Sequence, residues 1–137
     1  GSAIPAGEFR TVPVSAGDWT FPTHDDIPTC IEEIVNNFED RLATLHAIEA
    51  ATLLFYDVIS LHPFLDGNGR LSRFLFGYAL LRAGFPFPVI LSSGASKEYK
   101  HYIVALRHAQ GRGDFQALFA MAWESVERAM RNANDFL

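Results

Sequence analysis

The sequence predicts an all-α helical bundle with a short N-terminal β-hairpin, and three observations carry that prediction. Apolar residues recur at helical spacing through most of residues 25 to 137, while strand-like alternation is confined to residues 8 to 24. Two segments, His46 to Leu61 and Leu71 to Ala83, are apolar nearly all round, which places both in the middle of a bundle. Between them lies His62-Pro63-Phe64-Leu65-Asp66-Gly67-Asn68-Gly69-Arg70, then Leu71-Ser72-Arg73, a polar run that no packed core requires.

The chain has 137 residues, the size of one domain, and 49% of them are hydrophobic, enough for a core rather than a disordered tail. The formal net charge is −5, and the 11 Lys and Arg are scattered apart from Arg70 and Arg73. That argues against a dedicated nucleic-acid binder, which would carry a clustered basic face. The single cysteine, Cys30, excludes an intrachain disulfide and reads as a small buried hydrophobe on a helix. The longest apolar runs are broken by His46, Glu49, Asp57, Arg73 and Arg82, so neither a secretory signal nor a membrane span is expected. Gly1-Ser2 reads as a cloning scar and residues 1–7 as an arm. The expectation is one domain over residues 1–137, excised from a longer protein. Its expected compartment is the cytoplasm, or a host cytosol reached as part of a larger secreted protein.

Each element has its own signal. Glu8 to Val14 alternates and is β-branched, Gly17-Asp18 marks a turn, and Trp19-Thr20-Phe21 alternates again. This predicts a hairpin over residues 8–24, with Pro13 on an edge, leaning on the helical body as an arm or as a flap over a site. From Asp25 the period changes. Ile27, Ile31, Ile34, Val35, Phe38, Leu42 and Leu45 share one stripe, Asp25 or Asp26 is placed to cap, and Pro28 suits the first turn. The helix beginning at His46 ends before Pro63. The one after the loop stops at Gly84, and Phe85-Pro86-Phe87-Pro88 cannot continue it. A helix capped by Ser96 carries Tyr99, Tyr102, Ile103 and Leu106 and ends before Gly111. The last, capped by Asp114, carries Phe115, Leu118, Phe119, Ala122, Val126 and Met130. Arg107, Arg112 and Arg128 read as solvated side chains.

The central loop reads as chemistry. Gly67 and Gly69 flank Asn68 just before a helix, so backbone N–H groups can converge where the helix dipole is positive. That makes an anion site for phosphates, to which Arg70 and Arg73 add bidentate donors. A carboxylate at Asp66 would repel such a ligand unless a cation lies between, and Mg²⁺ is the usual bridge. The loop therefore reads as a site for Mg²⁺ with a nucleoside di- or triphosphate. His62, stiffened by Pro63, can take a proton from an attacking hydroxyl. Phe64 is placed to pin the loop to the core, and Asn68 either holds phosphate oxygens or braces the loop.

At these residues the sequence resembles the Fic domain family. Its signature, His-x-Phe-x-Asp/Glu-Gly-Asn-Gly-Arg-x-x-Arg, is matched at every fixed position by His62 to Arg73. Gly7-Glu8-Phe9-Arg10 resembles the element leading into that family's flap, and Tyr102 to Asp114 its adenine-side helix. The resemblance implies transfer of AMP from ATP to a Ser, Thr or Tyr hydroxyl of a target protein, releasing pyrophosphate. It assigns His62 as general base and Asp66 to Mg²⁺. It also assigns Gly67, Asn68 and Gly69 to the anion hole, and Arg70 and Arg73 to the outer phosphates. The nucleotide site runs on through Leu71 and Ser72 and includes Tyr102. Val12, Pro13, Val14, Ser15 and Ala16 would be the flap on which an extended target segment docks by β-addition.

The chain departs from the family in two places. Where many relatives carry paired tyrosines and a later asparagine near the adenine, this chain has Tyr102, Ile103 and Gln110. The inhibitory helix of many relatives, Ser/Thr-x-x-x-Glu-Gly/Asn, finds only a partial match in Thr29 to Glu33, with Ile34 in the last position. That element is expected either outside these residues or on a separate inhibitory protein, leaving the chain competent to bind ATP. The alternatives are transfer of UMP, phosphocholine or phosphate, AMP removal, and a catalytically idle nucleotide-binding adaptor. Gly69 speaks against the phosphotransferase variant, which has lysine there, and intact His62 against an adaptor. No zinc-ligand spacing links His62 to His24, His46, His101 or His108.

Overall fold

The computed structural model describes residues 6–17, 19–91 and 96–134, with the side chains of residues 96–99 left out of the description. Two strands, β1 (Ser15–Ala16) and β2 (Trp19–Thr20), pair antiparallel with Ser15 opposite Thr20 and Ala16 opposite Trp19. A single 3₁₀ turn, His24–Asp26, leads into α1 (Ile27–Thr44), followed by α2 (Ala47–Leu61), α3 (Asn68–Arg82), α4 (Ser96–Arg112) and α5 (Gln116–Asn134). The chain is thus all-α with a hairpin appendage, as its periodicity predicts.

Helix α2 is the hub. It packs against α1, α3 and α5, and α4 leans on α5. Its Ile48, Ala50, Ala51, Thr52, Leu54, Phe55, Val58, Ser60 and Leu61 are buried, so it has almost no solvated face. Its start carries a cap the sequence reading did not assign: His46 Nδ1 accepts the Ile48 N–H at 3.1 Å, the work Ser or Asp usually does. The core around it gathers Phe38 from α1, Phe76 and Leu80 from α3, Tyr102 and Leu106 from α4, and Leu118, Ala122 and Val126 from α5.

Several expectations are corrected. The predicted strand Glu8 to Val14 is irregular backbone, because Arg10 is drawn inward to the central loop and Pro13 cannot donate to a ladder. The turn falls as predicted, with Gly17 at φ +58°. Asp26 stands at the N-cap of α1 but makes no side-chain capping bond. On the α1 stripe, Ile27 and Phe38 are buried, whereas Val35 and Leu45 are exposed. Cys30 is half-buried rather than buried.

Helix α3 is not buried all round. Phe76, Gly77, Ala79 and Leu80 face the core, and Phe74, Tyr78 and Leu81 lie exposed. It ends as expected, with Gly84 at φ +102° and the Phe85 N–H returning to Leu80 O. The chain then passes back across α3 so closely that a Cβ at Gly77 would stand 2.7 Å from Val89 O. Helix α4 runs through Gly111 to Arg112 and stops at Gly113, φ +64°, because only the second glycine takes the left-handed conformation. Asp114 Oδ1 accepts the Gln116 N–H at 3.1 Å, the cap expected for α5. The Ser96 cap and the Tyr99 side chain fall outside the described side chains. Among the described residues no helix is long and apolar enough to cross a membrane.

Candidate active site

Pro63 ends α2, and the residue before it takes up the turn. His62 is the C-cap of α2 at φ 54°, ψ 60°, the only non-glycine at positive φ among the described residues. Glycine normally fills that position, and another residue there costs about 1–3 kcal/mol that the surroundings must supply. The supply is visible. Its N–H reaches Val58 O at 3.0 Å, the Phe21 ring stacks on the imidazole at 4.5 Å, and Arg10 Nε donates to its carbonyl at 2.7 Å. Partial burial, then the nearby Arg10 charge, push the imidazole pKa below its ordinary value. The ring is therefore neutral near pH 7, the state a general base requires.

The loop beyond it is built by Asn68. Its buried amide accepts from the Phe64 N–H at 3.0 Å and donates to Phe64 O at 2.8 Å, closing the loop on itself. Of its two readings, bracing is the one its side chain performs. Gly67 is the N-cap of α3 at φ 84°, a conformation side chains resist. The Leu71 N–H is taken by Gly67 O at 2.9 Å, so Asn68, Gly69 and Arg70 hold the first-turn N–H groups that lack an intrahelical acceptor. Ser72 is fully buried and its hydroxyl donates to Asn68 O at 2.6 Å, so its side chain braces the first turn of α3. Leu71 likewise packs its side chain against the core. Arg70 and Asp66 are exposed and only loosely paired, at 3.8 Å. Asp66 thus keeps a hard carboxylate oxygen for a cation, and one carboxylate completed by phosphate oxygens suits Mg²⁺.

A cavity of about 260 Å³ opens beside His62 and the first turns of α3. His62, Gly69 and Arg73 line it together with Tyr102, Ile103, Leu106 and Gln110. Ala16, Trp19 and Phe21 of the hairpin form a wall. Gly69 keeps the floor low, since a Cβ there would come within 3.2 Å of Arg73 Nη1. Tyr102 serves both core and cavity, its ring edge-on to Phe55 at 5.8 Å. Trp19 Nε1 donates to Ser60 O at 3.3 Å and Gln110 Nε2 to Ser60 Oγ at 3.1 Å, so one turn of α2 ties both hairpin and α4 to the cavity.

The hairpin edge from Val12 to Ala16 is mostly exposed. Two of its carbonyls are engaged, Val12 by Arg10 and Val14 by the Phe21 N–H. Sequence reasoning missed three contributors. Trp19 and Phe21 were read as strand residues of a hairpin that was either an arm or a flap over a site, without a lining role of their own. Arg107, read as solvated, lines the cavity and lies under the hairpin turn, where a Cβ at Gly17 would meet its Nη2 at 3.1 Å. No local pattern marks it.

A profile of the Fic/DOC family matches residues 1–80. The chain is 34% identical over 132 residues to "Protein adenylyltransferase Fic" of Nematostella vectensis, an alignment covering 93% of this chain and 29% of that protein. It spans under a third of that relative's length. Among solved structures, Fic-1 from C. elegans superposes with a TM-score of 0.72 at 26% identity, covering 91% of this chain and 37% of that one. A Fic family protein from Desulfovibrio desulfuricans gives 0.75 at 23% identity, over 99% and 43%, and so shares the fold.

Proposed function

This chain belongs to the Fic/DOC family, and from that premise we propose that it transfers AMP from ATP to a Ser, Thr or Tyr hydroxyl of a target protein. The observation that carries the proposal is the cavity itself. Its lining combines the His62 imidazole, Gly69 at the start of α3 and the Arg73 guanidinium with Tyr102, Ile103, Leu106, Arg107 and Gln110. Cationic and helix-start groups suit phosphates, and the aromatic and apolar side chains suit a flat base.

The target hydroxyl oxygen forms a bond to the α-phosphorus of ATP, and the bond from that phosphorus to the bridging oxygen breaks, releasing pyrophosphate. His62 takes the hydroxyl proton, a contribution of about 10²–10⁴ in rate. The N–H groups of Asn68, Gly69 and Arg70 hold phosphate oxygens, and Arg70 and Arg73 bind the outer phosphates. Asp66 would hold Mg²⁺, which supplies charge neutralisation on those phosphates when bound. A target segment lies along the edge from Val12 to Ala16 by β-addition, presenting its hydroxyl to His62.

An inhibitory segment would be supplied by another part of the same protein or by a separate protein. An apolar groove of about 320 Å³, lined by Phe74, Tyr78, Leu81 and Ile90, begins at Arg70 and Arg73. The chain is expected to bind ATP without prior relief of inhibition. Mass spectrometry after incubation with ATP, Mg²⁺ and a cell lysate tests the proposal. A gain of one AMP on a protein side chain that is lost with His62→Ala, while ATP binding persists, is the expected outcome. Equal labelling by the variant would take the base role from His62.

A further inference from the structure

Arg10 is the one charged side chain buried among the described residues, 2% exposed, and the chemistry above gives it no task. Every hydrogen bond it makes ends on a backbone carbonyl. Nε reaches His62 O at 2.7 Å, and Nη2 reaches Leu61 O at 3.2 Å. Nη2 also reaches Pro22 O at 2.6 Å, Nη1 reaches Val12 O at 2.9 Å, and the Arg10 N–H donates to Pro63 O at 2.9 Å.

These carbonyls fall into two groups. Leu61, His62 and Pro63 are consecutive and surround the base. Val12 and Pro22 flank the hairpin, one before β1 and one after β2. The last carbonyls of α2 have no helical partner, and a cation there meets the negative end of the dipole. A planar fork with several fixed donors can satisfy four carbonyls at once, whereas a lysine ammonium has three donors on a single atom.

We propose that Arg10 is a positioning residue for the transfer reaction. It holds His62 in the left-handed turn that brings the imidazole to the cavity, and it fastens both ends of the hairpin to that same turn. Base and docking edge are thereby fixed relative to each other, the geometry a hydroxyl must meet between them. Misplacing a reacting group by about 1 Å costs on the order of 10²-fold in rate.

This inference rests on the AMP-transfer reading for its rate arm only. The test compares Arg10→Met and Arg10→Lys with the parent chain in three readouts: ATP affinity, transfer rate at saturating ATP across pH, and the NMR titration of the His62 ring. Both variants are expected to fold and to bind ATP nearly as the parent does. Their rate falls about 10- to 100-fold, in kcat rather than in KM for ATP. In Arg10→Met the His62 titration and the acid limb of the rate profile rise together, because the neighbouring charge is gone. An unchanged rate with an unchanged titration overturns the proposal. Loss of fold and ATP binding in both variants also overturns it, leaving Arg10 a purely structural plug. A parent chain without transfer activity would refute the proposed function, and the His62 titration would still decide Arg10.

Discussion

His62 joins a backbone conformation that imidazoles seldom adopt to a neutral ring beside a cavity. Its lowered pKa has a definite sign in the rate. The base form persists as pH falls to the ordinary histidine value near ~6.5 and is lost only below it. The transfer rate is therefore expected to be flat through neutrality and to fall on the acid side, with its inflection below about 6.5. A pH profile of single-turnover transfer checks this, and an inflection above the ordinary value would contradict it. That His62, Gly69 and Arg73 belong together at one cavity was legible in the sequence, because they stand within one short run. The brace made by Asn68 was legible as one of two options, since an amide serves either. The inward turn of the Ser72 hydroxyl was not legible, because adjacency in a motif does not say which way a helical side chain points.

At the scale of elements, close approaches decide what changes are tolerated. Gly77 exists because Val89 O lies where a Cβ would be, 2.7 Å away, and backbone cannot move aside as a side chain can. Gly77→Ala is expected to lower stability by about 1–3 kcal/mol, read by denaturant unfolding, and a neutral result would mean that the strand of chain at Val89 is not held there. Between α1 and α2, Arg41 Nη1 donates to Asp57 Oδ2 at 2.7 Å, and both side chains are largely buried. Burial raises the Asp57 pKa against the pull of Arg41. Removing the partner strands a buried carboxylate, so Arg41→Met is expected to cost about 3 kcal/mol, and Arg41→Met with Asp57→Leu to recover most of it. Chemical denaturation of the single and double variants measures both. Neither feature could be seen beforehand. A glycine inside a helical pattern names no neighbour, and the residues of an ion pair 16 positions apart carry no mark of each other.

At the scale of the molecule, the fold was legible wherever hydrophobic period was strong. Helices α1, α2 and α5 begin within two residues of where the pattern put them, and Pro63, Gly84 and Asp114 act as read. What failed was reading burial from hydrophobicity alone. Leu71 to Ala83 looked like a helix surrounded on all sides, yet Phe74, Tyr78 and Leu81 form an open apolar groove. The N-terminal segment failed for a related reason. Alternation in Glu8 to Val14 suggested a ladder, but Arg10 takes its order from tertiary bonds to the end of α2. The cavity shows why these long-range ties matter: the hairpin, α2, α3 and α4 each supply part of its wall, and no single stretch encodes it.

The most direct test of AMP transfer follows where the phosphorus of ATP goes. Two parallel incubations of the chain with Mg²⁺ and a target extract would use ATP labelled on its α-phosphorus or on its γ-phosphorus, each beside His62→Ala. The α-label is expected on protein with the parent chain and absent with the variant, while γ-labelling of protein is the same with both. Parent-dependent transfer of the γ-label to protein, or α-labelling that survives His62→Ala, would contradict the account.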